Sequence, residues 1–326
     1  MSDRGFLDLI ISILPGLMPV DRMKLLMSFE QEKELYLRSK KNIEELLNKK
    51  IKRDWDINDI RDRADRIDTV CRMRSINWVS WTSAEYPPLL REIYDPPSVI
   101  FYRGLLPNPE KSMLAMVGTR KPSPEGAAQA YKIACGAGKA GISVVSGLAL
   151  GIDTMSHRGN LKGGVPGYTV LGSGIDEIYP SSNRPLAKKM LDSGGAIISE
   201  YPPGVRPKKW HFPERNRIIA GLSRGVIVVE APQKSGALIT AYIALEYGRD
   251  LWTASAGTEH HETLYDKRGT IKLAQDGAEI IYSHNDILEK WNMEIADNDE
   301  NIAVSSGGNS GGDFISSLAK LLKIEI

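Results

Sequence analysis

From Tyr201 to Gly221 the chain reads Tyr-Pro-Pro-Gly-Val-Arg-Pro-Lys-Lys-Trp-His-Phe-Pro-Glu-Arg-Asn-Arg-Ile-Ile-Ala-Gly, a dense concentration of residues that can bind or react. Pro202, Pro203, Gly204, Pro207 and Pro213 forbid a continuous helix or a central strand across the first half, so a loop is expected there. Packed into the stretch are Arg206, Lys208, Lys209, His211, Arg215 and Arg217, answered by the single acid Glu214, with Trp210 and Phe212 among them. Cations that follow a phosphate backbone, interleaved with aromatic faces on which bases stack, compose a groove for single-stranded nucleic acid. The same composition fits a solvated loop whose aromatics plug a core, so the position of the loop in the fold decides between the two.

The elements that must hold this loop alternate between strand and helix. Strands are expected over Met113 to Val117, Ile142 to Val145, Tyr168 to Leu171, Ala196 to Ile198, Val226 to Val229 and Leu251 to Ala254. Helices are expected between them, over Glu125 to Lys139, Ile152 to Leu161, Pro185 to Leu191, Glu214 to Leu222 and Ala237 to Tyr247. Continuously apolar strands separated by helices specify an α/β fold with a doubly wound, mostly parallel sheet covered on both faces. Gly118-Thr119-Arg120, Ser146-Gly147, Gly172-Ser173-Gly174, Glu200 and Glu230 directly follow strands, at the carboxyl edge where such sheets bind ligands. Glycines there let a backbone approach a phosphate, and helix N-termini supply aligned N–H groups. The loop after Glu200 hangs from the same edge, which favours a phosphate-bearing ligand.

Composition narrows the field. The 326 residues carry a formal charge of +1, so any nucleic-acid site is a local patch and not a basic coat. Cys71 and Cys135 are the only cysteines and show neither a disulfide framework nor metal-ligand spacing. The apolar run Leu7 to Leu14 is broken by Pro15 and Gly16, too short for a bilayer and without an export pattern, so a cytoplasmic protein with no membrane partner is expected. Neither a Walker lysine nor a Gly-x-Ser-x-Gly elbow is present. Asp153 and His157 share a helix face and fit either acid/base work or a capping role. The adjacent His260 and His261 point opposite ways in a loop, and no metal site is expected of them.

Three regions emerge. Residues 1–75 repeat apolar side chains at helical spacing and form a small all-α domain; residues 76–292 form the α/β domain; residues 293–326 form a linker, glycine- and serine-rich over 305–312, and one short amphipathic helix. Ile281, Ile287, Leu288 and Trp291, in a last strand and helix, are expected on an outer apolar face that joins two copies of the chain.

In order along the chain stand Val117-Gly118-Thr119-Arg120, Ser146-Gly147-Leu148-Ala149-x-Gly151-Ile152-Asp153-x-x-x-His157, Leu171-Gly172-x-Gly174-Ile175-Asp176-x-x-Tyr179-Pro180 and Ser199-Glu200-Tyr201-Pro202-Pro203-Gly204. His211-Phe212-Pro213-x-Arg215-Asn216-Arg217-Ile218-Ile219-Ala220-Gly221 and Val229-Glu230-Ala231-x-x-x-Ser235-Gly236-x-Leu238-Ile239-Thr240-Ala241 continue the series. With these motifs the chain resembles the DNA-processing protein A family, also called DprA or Smf. The resemblance implies an extended Rossmann-type domain preceded by a helical domain of SAM or helix-hairpin-helix layout. It implies a protein without catalytic residues or cofactor that binds single-stranded DNA, forms homodimers and passes the strand to RecA recombinase during natural transformation. The family's basic pocket carries over onto Arg120, Phe212, Arg215, Asn216 and Arg217. Gly118, Thr119, Ser146, Gly147, Gly172 and Gly174 join it from the strand-end argument, and Lys208, Lys209 and Trp210 from charge and stacking.

Leu150 stands where the family often has arginine, and the residues after Trp291 are too few for the winged helix that ends many members. The competing reading is a phosphoribohydrolase-like enzyme on a related fold, with Glu230 or Glu246 as general base. Against it, Lys234-Ser235-Gly236-Ala237-Leu238-Ile239-Thr240 lacks the paired glycines of that enzyme's phosphate turn.

Overall fold

The computed structural model of the protein describes residues 3–258 and 264–294. His260, His261, the linker over 305–312 and the expected C-terminal helix lie outside the described residues. Five helices come first: α1 (Asp3–Ser12), α2 (Pro19–Ser28), α3 (Glu32–Tyr36), α4 (Lys40–Leu47) and α5 (Ile57–Met73). Their starts are written locally. Pro19 opens α2, the Ser39 hydroxyl accepts the Asn42 amide of α4, and the Asp56 carboxylate accepts the Asn58 amide of α5. α5 buries Ile60, Ala64, Ile67 and Cys71, three or four residues apart, and leaves most of its charges on the outer face.

The α/β part follows as β1 (Asn77–Ser80), α6 (Pro88–Arg91), β2 (Val99–Gly104), β3 (Met113–Val117), α7 (Pro124–Lys139), β4 (Ser143–Ser146) and α8 (Ile152–Lys162). It continues with β5 (Tyr168–Leu171), α9 (Arg184–Asp192), β6 (Ala196–Ser199), α10 (His211–Leu222), β7 (Gly225–Val228), α11 (Gly236–Glu246), β8 (Asp250–Ala254), α12 (Arg268–Gln275), β9 (Glu279–Ile281) and α13 (His284–Lys290). One sheet orders them β1-β2-β6-β5-β4-β3-β7-β8-β9, parallel from β6 to β9 and antiparallel at β1 and β2. The chain winds from β3 out to β6, then returns through α10 to lay β7 on the other side of β3. That reversal leaves a crevice outside the carboxyl ends of β3 and β7, where doubly wound sheets bind ligands.

The pleat of β3 shows both faces covered. Leu114 and Met116 are buried with α7, α8 and α13, whereas Met113, Ala115 and Val117 are buried with α10 and α11. A third apolar cluster runs from Leu7, Ile10 and Leu26 of the helical region to Val99, Phe101, Leu171 and Met190. Trp78 Nε1 donates to Asp68 Oδ1 at 3.0 Å, and Arg74 pairs with Asp176 at 2.5 Å, so polar links cross the same seam.

Two expectations change. α10 begins at His211, three residues before the expected Glu214, because Pro213 falls in the first turn, where its missing N–H costs nothing. Ile281, Ile287, Leu288 and Trp291 do not form an outer face: all four are buried against α7 and β8 of their own chain, with Trp291 edge-on to Trp252 at 5.8 Å between ring centroids. The sidedness of this short strand and helix was set by the helix packed over it, which periodicity does not reveal. Ile280 and Tyr282 are the exposed apolar residues there.

Replacing Leu288 with Ala is therefore expected to destabilise the fold by about 2–5 kcal/mol. A Tyr282→Ser control should stay within about 0.5 kcal/mol. Denaturant midpoints measure both, and equal midpoints would place Leu288 outside the core.

Candidate functional site

The turn after β3 is held from below. Thr119 donates its amide to the Glu230 carbonyl at 2.7 Å, and the Thr119 carbonyl accepts the Ile152 amide at 3.2 Å. One Glu230 carboxylate oxygen accepts both the amide and the hydroxyl of Ser123 at 3.0 Å, and the Ser123 hydroxyl caps α7 through the Gly126 amide. Burial raises the Glu230 carboxyl above its ordinary range while the Ser123 amide and hydroxyl oppose the shift. Arg120, at the end of this braced turn, is exposed.

The turn after β4 rests on two buried charged side chains, Asp153 and Arg215. Asp153 Oδ2 accepts the amides of Gly147 and Ala149 at 3.0 and 3.2 Å. Arg215 lies directly beneath Gly147, where a β-carbon would collide with its guanidinium, so only glycine fits. Arg215 Nη1 donates to the Val170 carbonyl at 2.7 Å, and the side chain is 94 % hidden, with 6 % exposure. Burial pulls its pKa down to about 10, with the Asp153 charge resisting, so the guanidinium stays protonated at neutral pH.

The loop between β6 and α10 is tied at both ends. Gly174 donates to the Val205 carbonyl at 2.6 Å, and Asp176 accepts the Gly204 amide at 2.9 Å. Tyr201 stacks on His211 at 3.9 Å and donates its hydroxyl to Glu214 at 2.8 Å. Arg217, one turn further, sets Nη2 at 2.6 Å from both Glu200 carboxylate oxygens and Nε at 3.5 Å from Asp95. Burial works against that charge, but Glu200 and Asp95 outweigh it and hold Arg217 above the ordinary arginine range.

Gly118, Thr119, Arg120, Phe212, Arg215 and Asn216 line one cavity of ≈ 470 Å³ at the crevice between β3 and β7. Gly147 joins Arg120, Phe212 and Arg215 around a smaller recess beside it, together with Leu150 and Tyr179. Tyr179 and Phe212 stand 5.7 Å apart, tilted by 50°. A volume in the range of about 300–1,000 Å³ suits a nucleotide-sized group. Asn216 fixes the far wall by donating to the Gly236 carbonyl at 3.1 Å.

Other sequence-derived residues are placed elsewhere. The Ser146 hydroxyl is buried and donates to the Met116 carbonyl at 2.6 Å, so it serves the sheet. Gly172 is covered by the Phe212 ring, and the Gly174 amide is taken by Val205. Arg217, Lys208 and Trp210 line a different opening, towards the helical region, and Lys209 is exposed without lining either. Ser146, Gly172, Gly174 and Arg217 are each claimed by a partner distant in sequence. Sequence reasoning missed Lys121, Ser235 and Thr240 as cavity residues. A signal existed for Ser235, a Ser-Gly pair opening an apolar run, which is a helix N-cap aimed at the crevice; its hydroxyl accepts the Leu238 amide at 3.4 Å.

Of the groups considered for acid/base work, His157 is fully buried, with no hydrogen-bond partner for either ring nitrogen among the described residues. Glu230 braces the β3 turn, and Glu246 borders the opening that holds Arg217. Among the described residues no group of His, Cys, Asp and Glu is arranged to hold a metal, and no helix is long and apolar enough to cross a membrane.

Sheet topology, switch-point cavity and braced glycine turns together define a Rossmann-type α/β protein with a helical bundle packed on one edge. The family model for DNA recombination-mediator protein A matches residues 77–292. The chain is 43% identical over 224 residues to the DNA processing protein DprA of Bacillus subtilis, covering 67% of this chain and 72% of that one. It superposes with a TM-score of 0.70 and 32% identity on DNA processing protein A from Streptococcus pneumoniae, covering 90% of this chain and 99% of the other. A second solved structure, of the Helicobacter pylori protein and its single-stranded DNA binding mode, matches with a TM-score of 0.57 and 26% identity over 67% of this chain and 95% of that one. The chain belongs to the DNA processing protein A family.

Burial lowers the His157 pKa to about 3 from 6.5, with the nearby Arg215 charge adding to the shift. The folded state therefore excludes a proton that the unfolded chain binds. This contribution to stability is complete above pH 6.5 and is lost as pH falls towards 3, at about 1.4 kcal/mol per pH unit. Replacing His157 with Gln is expected to remove about one proton from the pH dependence of unfolding across that window. Denaturation at several pH values gives the slope, and an unchanged slope would show that His157 titrates freely.

Proposed function

We propose that the protein binds single-stranded DNA at the crevice between β3 and β7, without catalysing a reaction on it. The observation that carries this reading is the pairing of an exposed Arg120 with the half-buried Phe212 around one nucleotide-sized cavity, above the fixed charge of Arg215. Arg120 supplies a phosphate contact and Phe212 a stacking face, the combination that suits a single strand. The Helicobacter pylori relative, whose single-stranded DNA binding is described, supports the choice of ligand.

The finer reading follows the family: a cytoplasmic homodimer that protects incoming strands during natural transformation and loads RecA recombinase onto them. The family description as a recombination mediator supports the last step. For the dimer, support comes from apolar side chains with no cover in one chain. Ile239, Tyr242 and Leu245 are exposed on α11, three residues apart, and the edge strand β9 exposes Ile280. An apolar face and an open strand edge are what a two-fold contact buries.

Single strands should bind more tightly than duplexes, with log affinity falling against log salt at about 0.7 per phosphate contacted. Arg120→Ala should lower that slope by about one contact, whereas Phe212→Ala should cost about 1–3 kcal/mol and leave the slope in place. Fluorescence anisotropy titrations at several salt concentrations measure both; tighter duplex binding, or an unchanged slope in Arg120→Ala, overturns the site. Light scattering of Tyr242→Lys tests the dimer, which should dissociate to monomers; a parent that is already monomeric removes this part of the reading.

A further inference from the structure

A larger opening, of ≈ 1110 Å³, separates the helical region from the α/β unit. Its walls bring Arg22 of α2, Arg53 and Arg63 of the α5 region, and Lys208 and Trp210 of the loop before α10 into one space. The carboxylates there are Asp95, Glu200, Glu214 and Glu246. Asp95 and Glu200 hold Arg217, and Glu214 accepts the Tyr201 hydroxyl. Arg22, Arg53, Arg63 and Lys208 make no ion pair among the described residues. Lys208 instead sits 5.2 Å over the exposed Trp210 ring, at the mouth.

Two buried guanidinium nitrogens bordering this opening have no acceptor among the described residues: Arg217 Nη1, on a side chain whose other nitrogens pair with Glu200 and Asp95, and Arg22 Nε. A buried donor without a protein partner leaves a place for a water or an anionic acceptor. The opening adjoins the crevice: Pro213 lines both, Phe212 faces the crevice, and Trp210 and His211 face the opening, so the first turn of α10 is a ridge between them.

We propose that the opening is a second phosphate site, occupied by the same DNA strand after it crosses the first turn of α10. The helical region is then part of the DNA surface, with Trp210 as a stacking face at the crossing and Arg53 and Arg63 as the phosphate contacts. This rests on the single-strand reading of the crevice. A free nucleotide presents the same phosphate chemistry, and the test separates the two sources.

Arg53 and Arg63 are exposed, so the double variant Arg53→Ala, Arg63→Ala leaves the core untouched. Oligothymidylates of about 6 and about 16 nucleotides serve as probes, the shorter sized to the crevice alone. The double variant should lower the salt slope for the longer strand by about 1.4, two contacts at about 0.7 each, and leave the shorter strand unaffected. An unchanged slope for the longer strand overturns the proposal. Deoxythymidine monophosphate binding that depends on Arg53 and Arg63, with the longer strand indifferent to them, overturns it in favour of a free nucleotide. If Arg120→Ala weakens both lengths and the double variant weakens neither, the crevice reading stands and the second site falls. If the parent binds neither length, both fall.

Discussion

Much of the site depends on one buried guanidinium. Arg215 reaches from α10 under the Gly147 turn, bonds the Val170 carbonyl of β5, and faces Asp153, which in turn holds the Gly147 and Ala149 amides at the start of α8. Three elements that converge on the carboxyl edge are thereby fixed to one another through two buried charged side chains. Arg215 also gives the crevice a positive charge already fixed in place, beside the exposed Arg120.

The second constraint is the first turn of α10. Tyr201 stacked on His211 and Arg217 clasped by Glu200 hold the end of β6 against the helix from two sides. With that turn fixed, the side chains on either side of His211 diverge, Phe212 into the crevice and Trp210 towards the helical region. A loop broken by three prolines and a glycine before Trp210 could not aim those rings by itself, and the order of the site comes from the helix that follows it.

The same logic explains where the fold places its polar groups. At the switch point between β3 and β7 the connections leave in opposite directions, so their turns part and expose backbone at a cleft. The protein meets that exposure with internal braces. Glu230 holds Ser123 and the β3 turn, and Asn216 ties the wall to Gly236. Both groups are fixed in position by these bonds.

The α/β architecture, the strand ends with their glycine turns, the helical region ahead of the sheet, and the family are coded by period, by turn residues and by ordered motifs, all within a few neighbours along the chain. Tertiary structure alone decided which cation does what. Arg120, Arg215 and Arg217 look alike in sequence, yet the first is free, the second lies under Gly147 and bonds a carbonyl 45 residues away, and the third is neutralised by Glu200 and Asp95. Likewise Leu288 and Trp291 read as one face of a helix, and only the position of α7 and β8 makes that face the inner one. Burial and charge pairing are set by groups far apart in the chain, so no local pattern can carry them.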